Sequence, residues 1–459
     1  MRDRIPEIRA RGAELVIVGN GNRGFAAAFR GDFELDGPLF VDPELRAYRA
    51  AGLRRGRVEL LSPRWPLHAL RALRAGSRQT RVQGDPWQLG GVFVIRPGGE
   101  LTYRHASREM GDHAPVDEIL AALAPGAPAL AEEAQASPIT ALAGRVLSWL
   151  VDPTVVASFG STGFAIHSLA FDPTDLDVDL SGRRCLVTGA NSGLGYETAL
   201  ALADLGARVV LVCRDRARGE AARDRIREQT GNPEVSLEVL DVADLSEIRA
   251  RAPALAAEPI YALVHNAGSL ASAREETREG LESTLATQVV GPHLLTKCLR
   301  PALEASGDAR VVWVSSGGMY TRRVELADAE WIQRDFDGLV AYAEAKRAQV
   351  VLAQLWAQEL DAKGVRVYAM HPGWADTPGV RGSLPHFHRV TRAILRSPAQ
   401  GADTIVWLIA VKRAAEPTGV FFFDRAPRST HWLPFTRETE PERRELWQKV
   451  EQWSERKKN

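Results

Sequence analysis

Cysteine is scarce in this 459-residue chain: only Cys185, Cys213 and Cys298 occur, and no two of them form a CxxC pair. That excludes a disulfide-stapled scaffold and a vicinal dithiol, and it suits a reducing compartment in which cysteine serves as a small hydrophobe. Lysine is absent before Lys297, yet acidic residues are interspersed among the arginines and the formal net charge is zero. Nothing in that balance favours nucleic acid as a partner. No uninterrupted apolar run reaches the roughly 18 residues needed to cross a bilayer, so no integral membrane segment is expected. Met1 is followed by RDRIPEIRARG, a charged amphipathic stretch unlike a secretion signal. The expected location is therefore the cytoplasm. What is present, 45% hydrophobic and 25% charged residues, is the make-up of a globular protein long enough for two or three domains.

Residues 124–138 read APGAPALAEEAQASP, rich in Pro and Ala and poor in large apolar side chains. This predicts a linker between a small unit, 1–123, and a larger one, 181–459. The intervening ITALAGRVLSWLV and SFGSTGFAIHSLAF, within 139–180, read as an extension packed on the larger unit. A membrane-surface helix is the other reading, and the scarcity of basic residues on its polar face argues against it.

Two glycine loops follow apolar strands. The first, VIVGNGNRG, has the GxGxxG spacing of Gly19, Gly21 and Gly24, with Asp42 after the next apolar run. A dinucleotide loop must open a long helix and lead into repeated βα units. Here FAAAFR is soon interrupted by Gly31, Pro43 follows Asp42, and DPWQLGGVFVIRPGGELTY predicts a hairpin instead of a third βα unit. GNGNRG is therefore read as a turn. The order ELVIVGNG, PLFVDPELRAYRAAGL, DPWQLGGVFVIRPGGELTYRH and a helix over 116–123 resembles the peroxiredoxin-like (AhpC/TSA-like) branch of the thioredoxin superfamily. Members of that branch carry a redox cysteine after the first strand. Residues 1–123 hold none, and a thiolate is the nucleophile that peroxide reduction needs. The expectation is an incomplete, truncated thioredoxin-like domain without its own chemistry, or else a peroxidase fusion whose natural chain begins further upstream.

In the second loop, RCLVT runs into TGANSGLG and the helix YETALALADLG, which places Gly189, Gly193 and Gly195 in the TGxxxGxG spacing. Glycine allows the tight turn and lets backbone approach a pyrophosphate at the positive helix N-terminus. RVVLVCRD, a second long helix and VSLEVLDVADL continue the alternation. The rhythm predicts an α/β fold, with a doubly wound parallel (Rossmann) sheet in the C-terminal domain and the smaller thioredoxin-like α/β domain before it.

TGANSGLG, LDVADL, HNAG, VVWVSS, YAEAK and HPGWADT, in this order from about 181 to 424, resemble the short-chain dehydrogenase/reductase family. SSGGMY, HPGWADTPGV, AQGADT and FFFDRAPRSTH point within it to the subgroup called member 12. The resemblance implies an enzyme that interconverts an alcohol and a carbonyl with NAD(P)(H), as a homodimer or homotetramer. It assigns the cofactor to Gly189, Asn191, Ser192, Gly193, Leu194 and Gly195, to Asp241 and Val242, and to Asn266, Ala267 and Gly268. Pro372, Gly373 and Thr377 complete the cofactor set, with Tyr342 and Lys346 shared between binding and catalysis. Ser316, with Ser315 as the competing assignment, is implied to orient the substrate. Gln288 stands where the family places an asparagine that anchors a water in the proton relay.

Tyr342 and Lys346 also stand on their own spacing. Four residues apart in a helical run, they share one face. A phenol titrates near 10, and an adjacent ammonium is expected to stabilise the phenolate and lower that value. Arg214 ends the second strand where an acidic residue would bind a ribose 2′-hydroxyl. Its guanidinium suits a 2′-phosphate, so NADP(H) is favoured over NAD(H), although Asp215 follows at once. His265 is read as a hydrogen-bonded strand-end residue. His386 and His388 lack partners at metal-binding spacing, so no metal is expected. The apolar stretch after Thr377, PGVRGSLPHFHRVTRAIL, is read as a substrate lid, which suggests a lipophilic or bulky small-molecule substrate. The alternative is a protein that binds NADP(H) in a regulatory role without turnover, a reading encouraged by Gln288.

Overall fold

A computed structural model describes residues 158–457 apart from 173, 384, 393 and 412–416. In the first third of the chain it describes 4–20, 26, 29–31, 37–42, 47–48, 51, 53, 90–97, 101–107 and 114–124. The chain divides into two units, Met1–Ala134 and Gln135–Asn459. Most of the predicted linker, Gly21 and Gly24 of the first glycine loop, and the run ITALAGRVLSWLV lie outside the described residues.

In the first unit, the helix Ile5–Ala10 begins with proline in its first turn, where a missing N–H costs nothing, and buries Ile8. Strand β1 (Ile17–Gly19) pairs in parallel with β2 (Leu39–Val41), and β3 (Gly91–Ile95) pairs with β4 (Leu101–Ala106) as an antiparallel hairpin. The helix Val116–Ala122 sets Ile119 and Ala122 against Val94. Gly31 was expected to break a helix, but residues 29–31 are helical.

The second unit is built on an eight-stranded sheet of β5 (Arg184–Thr188), β6 (Arg208–Cys213), β7 (Val235–Val239), β8 (Ala262–His265), β9 (Ala309–Val314), β10 (Val365–Met370), β11 (Phe421–Phe423) and β12 (Ala426–Pro427). The order across the sheet is β12-β11-β10-β9-β8-β5-β6-β7, and only β12 is antiparallel to its neighbour. Helices cover both faces, so the strands are apolar on both sides. Cys185 and Val187 of β5 enter one core while Leu186 enters the other, and Val209, Leu211 and Cys213 of β6 alternate in the same way with Val210 and Val212. The chain leaves β7, crosses back through the helix Leu245–Leu255 and re-enters the sheet as β8 beside β5. The carboxyl ends of β5 and β8 therefore flank the point where winding reverses, which is where open α/β sheets hold ligands. Among the described residues no helix is long and apolar enough to cross a membrane.

Candidate active site

The loop after β5 is held by its neighbour across the switch point. The Thr188 hydroxyl donates to the Val264 carbonyl at 3.1 Å and accepts from the backbone N–H groups of Asn266 and Ala267, each at 3.0 Å. Asn266 Nδ2 donates to the Thr188 carbonyl at 2.9 Å. Gly189 sits at φ +66°, and a Cβ there would lie 2.9 Å from the Ala267 Cα. A Cβ on Gly195 would lie 2.4 Å from both Asn266 Nδ2 and the Gly189 carbonyl oxygen. Only hydrogen fits at these two positions. The helix Gly193–Asp204 starts without a side-chain cap, leaving its first N–H groups toward the loop. A cradle of this shape, with uncapped donors at a helix N-terminus, fits a dinucleotide pyrophosphate.

A cleft of 680 Å³ opens above this loop. It is lined by Gly189, Asn191, Ser192, Gly193, Leu194, Arg214, Asp241, Val242, Asn266, Ala267, Gly268, Ser316, Tyr342, Lys346, Pro372, Gly373 and Thr377. Of the residues assigned to catalysis or to the cofactor, Gly195 and Gln288 alone stand outside its lining. Gln288 is fully buried in a π-helical turn, Ala286–Val290, and its side-chain amide donates to the Ser269 carbonyl at 3.0 Å.

Tyr342 and Lys346 project from the helix Gly338–Leu360, with the Lys346 ammonium 5.3 Å from the centre of the Tyr342 ring. The expected electrostatic effect on the phenol is not what the structure shows. Burial raises the Tyr342 pKa, and a hydrogen bond with Ser316 only partly opposes it. Burial also pushes the Lys346 ammonium down to about 7, so the two groups move apart, the phenol up and the ammonium down. Burial outweighs the stabilising effect of the neighbouring ammonium expected from spacing alone.

The two candidate serines, just past the end of β9, differ in their partners. Both line the cleft, but Ser315 is buried and donates to the Lys346 backbone carbonyl at 2.8 Å, whereas Ser316 accepts from Gly318 N–H at 3.3 Å and bonds the Tyr342 phenol. The insert between Ser316 and Tyr342 is anchored at several points. Asp328 accepts from the N–H groups of Ile332, Gln333 and Arg334, and Arg334 makes a two-pronged contact with Glu344 at 2.7 and 3.0 Å. Asp337 caps the Tyr342 helix through Leu339 and Val340.

Residues 139–171 read from sequence as an extension packed on the larger unit, with their role left open, and the described part, 158–171, lies beside the cleft. Phe159 is 3% exposed, contacts the rings of His371, Phe423, Trp374 and Trp432, and lies where a Cβ on Gly317 would be 2.6 Å from its ring. Its carbonyl accepts from Trp374 N–H at 2.9 Å and from Arg396 Nε at 2.8 Å. Arg396 pairs in turn with buried Asp424, which also meets His167 at 2.5 Å. The segment thus buttresses both Ser316–Gly317 and the 372–377 loop.

At the far end of the cleft, the guanidinium of Arg214 has no hydrogen bond or ion pair among the described residues. Asp215, the complication noted beside it, is committed elsewhere. Its carboxylate caps the helix Arg216–Thr230 by accepting from Arg218 N–H at 2.9 Å, and it pairs with the Arg218 side chain at 3.1 Å. Arg218 also lines the cleft. The opposite end is closed by the helices Pro378–Ser383 and Pro385–Thr391, which contribute Val380, Ser383 and Phe387. Asp376 pins them through Arg381 at 2.8 Å and His388 at 3.1 Å, a partner for His388 that sequence spacing did not reveal. His265 is buried against Thr296 at 2.7 Å, and burial lowers its pKa to about 3. No cluster among the described residues gathers three or more metal-ligating side chains.

The fold and this cleft define a dinucleotide-dependent oxidoreductase, and the chain belongs to the short-chain dehydrogenase/reductase family. A family described as short chain dehydrogenase matches residues 183–386, and one described as AhpC/TSA antioxidant enzyme matches residues 1–109. Dehydrogenase/reductase SDR family member 12 of Homo sapiens is 44% identical over 275 residues, covering 60% of this chain and 86% of that protein. Retinol dehydrogenase 12 of Homo sapiens is 36% identical over 253 residues, covering 54% and 79%. A solved structure of an uncharacterized protein from Mycobacterium paratuberculosis is similar at 27% identity with a TM-score of 0.50, over 61% of this chain and 97% of that one. The chain is thus a dehydrogenase/reductase whose first part is a thioredoxin-like segment.

Proposed function

We propose that the enzyme interconverts an alcohol and a carbonyl with NADP(H), acting on a lipophilic or bulky small molecule. The observation that carries this reading is the convergence of Ser316, Tyr342 and Lys346 on the cleft that also contains the Gly189–Gly195 cradle. Gly189, Asn191, Ser192, Gly193, Leu194 and Gly195 would hold the pyrophosphate. Asp241 and Val242 would border the adenine, Asn266 to Gly268 would wall the ribose, and Pro372, Gly373 and Thr377 would border the nicotinamide. When bound, the dinucleotide supplies or accepts the hydride.

The chain's own residues handle the proton and the geometry. In the reducing direction Tyr342 donates its phenolic proton to the substrate oxygen, and Ser316 hydrogen-bonds that oxygen and holds it toward the phenol. Lys346 sits close enough for its ammonium form to steady the phenolate left behind, a role that burial weakens as the lysine loses its proton above about pH 7. Arg214, without a partner among the described residues and with Arg218 also in the cleft lining, supports a 2′-phosphate over a bare ribose hydroxyl. Leu270, Leu339, Val340, Trp374, Val380 and Phe387 give the other end its apolar lining and support a lipophilic substrate. The test is oxidation of NADPH across a panel of aldehydes and ketones by the parent and by Tyr342→Phe. Turnover by the parent and its loss in the variant are expected; equal rates would leave a dinucleotide-binding protein without this chemistry.

A further inference from the structure

Resting on the reading of Tyr342 and Lys346 given above, we infer that Gln349 is a positioning residue for Lys346, its amide bridging the lysine ammonium to the backbone carbonyl of Gln288. The Lys346 ammonium donates to the Val314 carbonyl at 2.8 Å and to Gln349 Oε1 at 3.0 Å. Gln349 Nε2 donates onward to the Gln288 carbonyl at 2.7 Å. Gln349 is fully buried and Lys346 is 3% exposed, so water does not compete for these bonds.

The bridge depends on where the Gln288 carbonyl stands. Gln288 lies in the π-helical turn Ala286–Val290, whose wider winding takes carbonyls out of the ordinary helical ladder and opens them to side-chain donors. That turn cannot drift. A Cβ on Gly291, which follows it, would lie 1.8 Å from the carbonyl oxygen of Val242, a cleft residue. A fixed carbonyl on one side and a fixed lysine on the other leave a gap that a primary amide fills with the right polarity, oxygen to the ammonium and nitrogen to the carbonyl. Three residues beyond Lys346 on the same helix, Gln349 reaches back over one turn.

An amide accepts at oxygen and donates at nitrogen, but it does not readily pass a proton through. The chain Lys346–Gln349–Gln288 therefore fixes the lysine without draining it, and proton exchange of the Tyr342–Lys346 pair is directed to the cleft. The titratable group beside Lys346 is Tyr342, on its own helix. From β9 it meets the Val314 carbonyl, from the π turn it is reached only through the amide, and burial alone accounts for its lowered pKa. Its protonation is then set by burial and by the acceptors that Gln349 and Val314 present.

The test reads the lysine directly. With 13Cε-labelled lysine in the dinucleotide-free protein, the Lys346 signal is assigned by its loss in Lys346→Met and titrated in the parent, Gln349→Leu and Gln349→Glu. The inference predicts that Gln349→Leu lowers the Lys346 midpoint and Gln349→Glu raises it, each by about one unit or more. In parallel, NADPH-dependent reduction of 4-nitrobenzaldehyde should show kcat down about tenfold in Gln349→Leu with KM for NADPH within about twofold. Unchanged Lys346 titration in both variants would overturn the inference. If Gln349→Leu does not fold, the near-isosteric Gln349→Glu decides it. Absence of turnover in the parent would instead count against the proposed function, and the titration would still give its own answer.

Discussion

The two glycine loops of this chain have similar letters and different surroundings. At Gly19 a Cβ would find, among the described residues, only the Phe40 carbonyl oxygen, at 3.9 Å. At Gly195 it would collide with Asn266 Nδ2 and the Gly189 carbonyl at 2.4 Å. One glycine is a convenience at the end of a short strand, and the other is a steric requirement where two strands and a helix converge. The spacing of glycines is therefore poor evidence by itself. What marks a cofactor cradle is crowding by groups that are themselves locked, as Asn266 is locked to Thr188. The contrast extends to chemistry: the cysteine-free first unit offers no thiolate, while the second gathers a phenol, a hydroxyl and a buried ammonium in one cleft.

The largest expected effect sets one tyrosine of each unit against the other. Tyr342→Phe removes the proposed proton donor and should cut kcat/KM for carbonyl reduction about a thousandfold or more, with dinucleotide affinity nearly unchanged. Tyr48→Phe loses, among the described residues, a hydrogen bond to the Val18 carbonyl and should leave those kinetics alone. Steady-state NADPH oxidation measures both, and loss of activity in Tyr48→Phe would break the division of labour.

Phe159→Ala empties a buried ring site beneath Gly317 and should cost about 3–5 kcal/mol of stability in denaturant unfolding. A loss under about 1 kcal/mol would mean that this segment does not support the catalytic loop as described. A smaller effect is expected at Arg214. Its replacement by alanine should weaken NADPH some tens of times while moving NADH by no more than about twofold, read from dissociation constants. Equal weakening of both would leave the 2′-phosphate unexplained.

The smallest effect is electrostatic. Glu451, on the C-terminal helix Glu440–Ser454, is held down to about 2 by hydrogen bonds from His293 and Lys297. Its folded pKa lies below the ordinary 4.5, so its contribution is present above that value and fades as pH falls toward 2. The Tm gap between parent and Glu451→Gln should therefore narrow on acidification from neutrality to about pH 3. A constant gap would assign the contact to packing alone.

Much of the second unit was legible because its signals are local. Apolar runs alternating with helices, TGANSGLG and the four-residue step from Tyr342 to Lys346 each lie within one or two elements. The difference between Ser315 and Ser316 was not legible, because it turns on which partners each hydroxyl meets just past the end of β9. Phe159 was missed for a different reason: its partners Gly317, Trp374 and Phe423 lie far along the chain, and no periodicity links them. Gln349 escaped because its value depends on a carbonyl exposed by a π turn, which the letters ATQVVG do not announce. The direction of the Tyr342 shift was misread because spacing reveals a neighbouring charge and says nothing of burial.

The central claim, that one loop seats the dinucleotide and the other does not, is met most directly by titrating NADPH into the parent, Gly19→Ala and Gly195→Ala and following tryptophan fluorescence. The account predicts the same dissociation constant for the parent and Gly19→Ala, and binding weakened about a hundredfold or lost in Gly195→Ala that remains folded by circular dichroism. Undiminished binding by a folded Gly195→Ala, or its loss in Gly19→Ala, would contradict it.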